Sequence, residues 1–130
     1  MVDADVLIAG ERGVFDLSRW LSSRPDEQFE IAAITVAEMF HGVERASGPH
    51  RLRRQTYVEA ILAAFRVIPY TVSTAQIHAR LWAQLESSGQ MIGCHDLLVA
   101  AAAVERDSAV ATFNARHFGV VPGLTVITPA

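Results

Sequence analysis

Eight apolar residues in a row follow Asp96, in the stretch Gly93-Cys94-His95-Asp96-Leu97-Leu98-Val99-Ala100-Ala101-Ala102-Ala103-Val104. Four of them are alanine, the residue most at ease in a helix, so the stretch predicts a helix. A helix that is apolar on every side has to be buried on every side. That requirement rules out a thin or open fold. Asp96 falls in the first turn of this helix, directly after a glycine break. Its carboxylate has two readings: compensation of the helix dipole, or the floor of a polar site. Acids are favoured in first turns generally, so the stretch taken alone favours compensation. Acids elsewhere in the chain shift that balance.

Burying such a helix takes a sizeable core, and 130 residues supply one as a single domain spanning 1–130. The hydrophobic fraction of 51% and the charged fraction of 19% suit a globular protein. No apolar run reaches the length of a membrane span. The first residues lack the basic-then-apolar pattern of a signal peptide. The lone cysteine, Cys94, excludes an internal disulfide and fits a cytoplasmic setting. The net charge of −3 makes no global case for nucleic-acid binding, so any such binding has to come from a local patch. All 11 basic residues are arginine. Mechanisms that need a lysine, such as a P-loop or a Schiff base, are therefore excluded.

Along the chain, Val2 and Asp3 close a short first strand, and residues 4–9 turn away as loop or helix. Gly10-Glu11-Arg12-Gly13 reads as a turn. Leu17, Trp20 and Leu21 are spaced for a helix over 15–23, which ends before Pro25. Residues 29–34 read as a second strand, followed by a helix over 36–45. Pro49 opens the next helix, with Leu52, Val58, Ile61, Leu62 and Phe65 on its apolar stripe. Residues 66–70 form a third strand, placed at an edge by Pro69. Ser73 or Thr74 caps a helix running to Ser88, with Ile77, Leu81, Trp82 and Leu85 inward and Gly89 just past its end. Residues 109–112 and 124–128 are the fourth and fifth strands. Strands alternating with helices predict an α/β fold: a three-layer α/β/α architecture around a central parallel sheet of four to five strands.

Sites in such sheets form beyond the carboxyl ends of the strands, near the switch point. Asp3, then Thr35 and Glu38, then Thr112 and Asn114, follow successive strands, and Asp96 starts the helix leading into the fourth. Each has a plainer explanation. Asp5 is a cap for the first helix, Thr35-x-x-Glu38 matches a capping box, and His41 is a structural or rim residue. Asp3 is harder to explain away, because an acid abutting an apolar strand is costly to bury unpaired. Together Asp3, Glu38 and Asp96, with Asn114 as a neutral donor, form a hard-oxygen set suited to Mg²⁺ or Mn²⁺ rather than zinc. Such an ion would relieve the repulsion among the carboxylates. It would also activate water for attack on a phosphodiester.

Four stretches resemble PIN-domain ribonucleases, specifically VapC-type toxins of bacterial toxin–antitoxin pairs. They are D-A-D-V-L-I from Asp3, I-T-V-A-E from Ile34, I-G-C-H-D-L-L-V-A-A-A-A from Ile92 and A-T-F-N-A-R-H-F-G-V-V-P-G-L from Ala111. They stand in the family's order across almost the whole chain. The resemblance implies a Mg²⁺-dependent endoribonuclease, with Mn²⁺ able to substitute. It maps the family's acids onto Asp3, Glu38 and Asp96, with Asp3 and Asp96 as metal ligands and Asn114 at the fourth catalytic position. It also implies RNA as substrate, a small VapB-like antitoxin partner and a homodimer. Two positions depart from the family pattern. Ala4 stands where a threonine is usual, and Asn114 brings no charge to a position that is Asp or Asn in the family.

Arg45, Arg51, Arg53 and Arg54, with His50 among them, form the densest positive patch. It is either a solvated helix face or a clamp for RNA phosphates or an acidic partner segment. Arg116 and His117, close to Asn114, are candidates for substrate contact, and His95 is either a hydrogen bonder at the start of its helix or a catalyst. Two other functions compete. V-D-A-D-V mimics the D-x-D strand end of haloacid-dehalogenase-like phosphatases, although the missing lysine and Leu7 weigh against them. A non-catalytic binding module would keep the fold and the arginines but bind no metal.

Overall fold

In the computed structural model, which covers residues 1–130, helices and short strands alternate. Their order is α1 (Ala4–Glu11), α2 (Leu17–Ser22), β1 (Glu30–Ala32), α3 (Ala33–Arg45), α4 (Gly48–Ala64), β2 (Arg66–Ile68), α5 (Val72–Ser88), α6 (Cys94–Glu105), β3 (Val110–Ala111), α7 (Ala115–Phe118) and β4 (Val126–Ile127). β1 pairs with β2 and β3 with β4, both in parallel. Residues 1–3 join the two pairs. The Val2 N–H donates to the Glu30 carbonyl at 2.8 Å, and the Asp3 N–H donates to the Ala111 carbonyl at 2.9 Å. Ala111 in turn donates to the Met1 carbonyl at 2.8 Å. The hydrogen-bonded row is therefore β2, β1, residues 1–3, β3, β4.

Successive strand residues point to opposite faces. Met1, Ala32, Ile68 and Val110 enter a core built with α5, α6 and α7. Val2, Ile31 and Ala111 enter a second core under α1 to α4. The sheet is thus sandwiched between two helical layers, the expected α/β/α architecture. In α6, Leu97 and the run Val99 to Ala103 are all buried, as the apolar stretch requires.

Several local expectations are corrected. α1 runs through Gly10 and Glu11, so the turn begins only after them. Asp3, not Asp5, is the cap of α1, accepting from the Ala4 N–H at 2.9 Å. α3 starts three residues before the expected Val36, straight out of β1, and its N-cap is Ala32, without a side-chain bond. Thr35 is therefore inside the first turn, its hydroxyl fully buried and unpartnered, and the capping box with Glu38 does not form. Thr71, not Ser73 or Thr74, caps α5, with Thr74 returning the bond from the third helical position. Leu52 (71% exposed) and Trp82 (49%) face solvent rather than the core. The fourth and fifth strands are shorter than expected, because the chain past Ala111 turns toward the acids. The short α7 forms in that turn, where the sequence pattern predicts no helix. β2 sits at the edge, as Pro69 implies.

Candidate active site

Asp3 ends the segment at the middle of the sheet, where the chain's progress across the row reverses between residues 1–3 and β3. This is the switch point at which α/β sheets open a crevice. Asp3 is only 5% exposed. One carboxylate oxygen accepts from the Ala4 N–H, and the other accepts from the Thr112 hydroxyl at 2.9 Å. Thr112 follows β3, and its oxygen accepts from the Asn114 N–H at 2.9 Å. Burial, then the charges of Asp5 and Asp96, push the Asp3 carboxyl up to about 7, against the Thr112 and Ala4 hydrogen bonds that favour the anion.

Asp5 lies in the first turn of α1 and accepts from the Phe113 N–H at 3.1 Å. Burial raises its carboxyl above the ordinary range. Glu38, on α3, is raised by burial and by the charges of Asp96 and Asp5, opposed by His95, whose Nδ1 lies 2.8 Å from Glu38 Oε1. Asp96 opens α6 and faces His117 Nδ1 at 3.5 Å. The Asn114 amide nitrogen lies 2.8 Å from the same ring nitrogen. With the amide donating there, Nδ1 carries no proton, and Asp96 makes no hydrogen bond to His117.

The fold thus brings Asp3, Asp5, Glu38 and Asp96 into one electrostatic neighbourhood from α1, α3 and α6. Asp3, Asp5, Glu38 and Asp96 have no arginine within ion-pair distance, and His95 is the neighbour able to bring a positive charge to Glu38. A hard, all-oxygen set left without a counter-charge fits a hard divalent cation. No three His, Cys, Asp or Glu side chains stand close enough together to hold a metal ion between them. A Mg²⁺ here would therefore rest on one or two carboxylates and complete its shell with water or phosphate oxygens.

The arginine run divides. Arg51 pairs with Glu44 at 3.2 Å and Arg53 meets His50 Nδ1 at 2.7 Å, both on the exposed outer side. Arg45 and Arg54 instead line a cleft of about 350 Å³ that also includes Glu38, His41 and Arg12. Arg116 is exposed on α7, next to His117. The sequence names Thr112 and His117 near the site, but gives Asp5 only the part of a cap and leaves Arg12 out. Their sequence signals were slight: D-x-D at a strand end, and polar residues just past a strand. Arg12 lay in what read as a turn.

Residues 1–124 match the PIN domain family model. The chain is 31% identical over 130 residues to a protein named Ribonuclease VapC from Rickettsia bellii, covering 98% of this chain and 94% of that one. It is 37% identical over 119 residues to Ribonuclease VapC10 from Mycobacterium tuberculosis, covering 91% and 84%. The fold superposes on a crystal structure of VapBC2 from Rickettsia felis, bound to a DNA fragment from its promoter. The TM-score is 0.91 at 21% identity, covering 100% of this chain and 98% of the other. With its order of strands, its acids at the switch point and these relatives, the chain belongs to the PIN-domain family, among its VapC-type members.

Proposed function

We propose that this chain is a Mg²⁺-dependent endoribonuclease toxin that hydrolyses RNA phosphodiester bonds and is restrained by a small VapB-like antitoxin. The observation that carries the reading is a buried Asp3 sharing its surroundings with Asp5, Glu38 and Asp96, none of them ion-paired to an arginine. Relatives named ribonucleases support the reaction class. The phosphatase alternative has no support in the family match.

Bound Mg²⁺ supplies Lewis-acid polarisation of a phosphate and a more acidic water. Asp3 and Asp96 would hold it, replacing the proton that a raised Asp3 otherwise retains. Thr112 fixes the Asp3 oxygen that faces it. His95 occupies Glu38 Oε1, which leaves Oε2 to accept a hydrogen bond from the attacking water and orient it. Asn114 contributes a neutral amide beside Asp96, through His117.

Purified protein should cleave single-stranded RNA with Mg²⁺ or Mn²⁺ and not with EDTA. Asp96→Asn should abolish cleavage while leaving the circular-dichroism spectrum unchanged. An active, folded Asp96→Asn protein would refute the assignment. A non-catalytic module would show no metal-dependent cleavage at all. The antitoxin should co-purify when its neighbouring gene is expressed with this one. The homodimer belongs to the same proposal. Exposed Tyr70 and Trp82, beside an apolar cleft lined by Ile34, Ala37 and Leu98, supply surface for it. A monomer in sedimentation at all concentrations would remove that part.

A further inference from the structure

We propose that the cleft between α1, α3 and α4 is a phosphate subsite for single-stranded RNA, and that Arg12 and Arg45 grip a phosphate neighbouring the scissile one. The inference rests on the nuclease reading above and extends it to how the RNA strand is held. Glu38, His41, Gly42 and Arg45 follow one another at i, i+3, i+4 and i+7, so they form one stripe along α3. All four line the cleft. Seven residues of helix rise by about 10 Å. A strand with its scissile phosphate at the carboxylates therefore carries a neighbouring phosphate down the stripe toward Arg45.

The charges in the cleft are not evenly matched. Arg54 donates to the Gly42 carbonyl at 2.9 Å and faces Glu11 at 3.7 Å, so these two largely answer each other. Glu38 is already engaged by His95 on its other side. Arg12, just past the end of α1, and Arg45, in the last turn of α3, have no carboxylate within ion-pair distance. Two exposed guanidiniums lining one cleft, neither paired with an acid, are donors matched to phosphate oxygens. Repeated phosphates explain such a pair better than an acidic peptide does. Glu11 and Glu38 at the cleft wall would repel an acidic segment lying along its length, whereas a nucleic-acid strand places its bases, not a second row of carboxylates, beside them.

The test is binding of a fluorescent single-stranded RNA oligonucleotide in EDTA, which stops metal-dependent cleavage, with anisotropy measured over a range of KCl. The double variant Arg12→Ala/Arg45→Ala should bind about tenfold more weakly, the scale of one or two lost charge-assisted hydrogen bonds. Its slope of log affinity against log salt should be shallower by about 0.7, the value for one phosphate contact on a single strand. Arg80→Ala, exposed on α5, should change neither. Wild-type affinity and slope in the double variant overturn the proposal. So does a double variant that keeps RNA binding but loses the antitoxin, which would make the cleft a protein-docking site. A protein that binds RNA in the expected way yet cleaves none with Mg²⁺ leaves the subsite standing and removes the nuclease reading. Circular dichroism confirms that the exposed substitutions leave the fold intact.

Discussion

At the scale of single residues, Asp3 carries the sharpest consequence. Its folded carboxyl is raised from the model-peptide value of 3.8 to about 7, chiefly by burial. Between those values the native state holds a proton that the unfolded chain has lost, so stability falls as pH rises through the window. Below pH 4 the penalty is absent, and above pH 7 it is fully expressed. Asp3→Asn removes the titration while keeping an oxygen for the Ala4 N–H. In EDTA the variant should therefore gain on wild type by about 2–4 kcal/mol between pH 5 and pH 8, read by denaturant melts. A gain independent of pH would show that burial of the charge is not the cause. Thr112 matters at the same scale. Ala4 lacks the hydroxyl usual in the family, and Thr112 supplies one to Asp3 from the strand across the switch point.

At the scale of elements, two helix starts show packing overruling local pattern. Thr35 looks like a cap, and Ser/Thr caps are worth about 0.5–2 kcal/mol when truncated. In the fold its hydroxyl is sealed in with no partner, because β1 runs into α3 without a loop. Replacing an unsatisfied buried hydroxyl by a methyl of the same shape removes a desolvation penalty. Thr35→Val should thus be neutral or stabilising by up to about 1 kcal/mol in urea melts, and a loss of cap size would restore the capping role. Gly10 shows the opposite case. Gly→Ala within a helix ordinarily gains about 0.5–1 kcal/mol. Here a Cβ would stand 2.9 Å from Leu17 Cβ and 3.0 Å from the Tyr57 hydroxyl, which is itself bonded to the Leu7 carbonyl. Leu17 Cβ is fixed by the α2 backbone and cannot swing aside. Overpacking then wins, and Gly10→Ala should destabilise by about 1–3 kcal/mol, with the melting temperature falling rather than rising.

At the scale of the whole molecule, charge is sorted by side. The acids converge at the carboxyl end of the sheet, and Arg45 and Arg54 line the cleft on one flank. At the opposite end, buried Glu30 is gripped by Arg106, with the shortest contact at 2.6 Å. The ends therefore differ in kind: one acid is neutralised by an arginine, whereas the site acids have none. A cation that binds only the folded site adds stability by mass action, about 2.7 kcal/mol at a hundredfold excess over its dissociation constant. Mn²⁺ at that excess should accordingly raise the melting temperature of wild type by about 10 °C and leave Asp3→Asn and Asp96→Asn unmoved. Equal shifts in all three proteins would place the ion elsewhere.

The amino-acid sequence alone determined the alternation of strands and helices, the burial of the helix after Asp96 and the candidacy of Asp3, Glu38 and Asp96. Periodicity, alanine content and strand-end polarity are local properties, and local properties are written in the order of residues. Tertiary structure decided what those residues face. It gave the cap to Asp3 and stripped it from Thr35. It joined Thr112 to Asp3 across 109 positions of chain, turned Trp82 and Leu52 outward, and set Arg12 and Arg45 in the wall of one cleft. Such pairings depend on which faces the two cores take up and on how closely the helices cross. Those are properties of packed volume, and no window of neighbouring residues contains them.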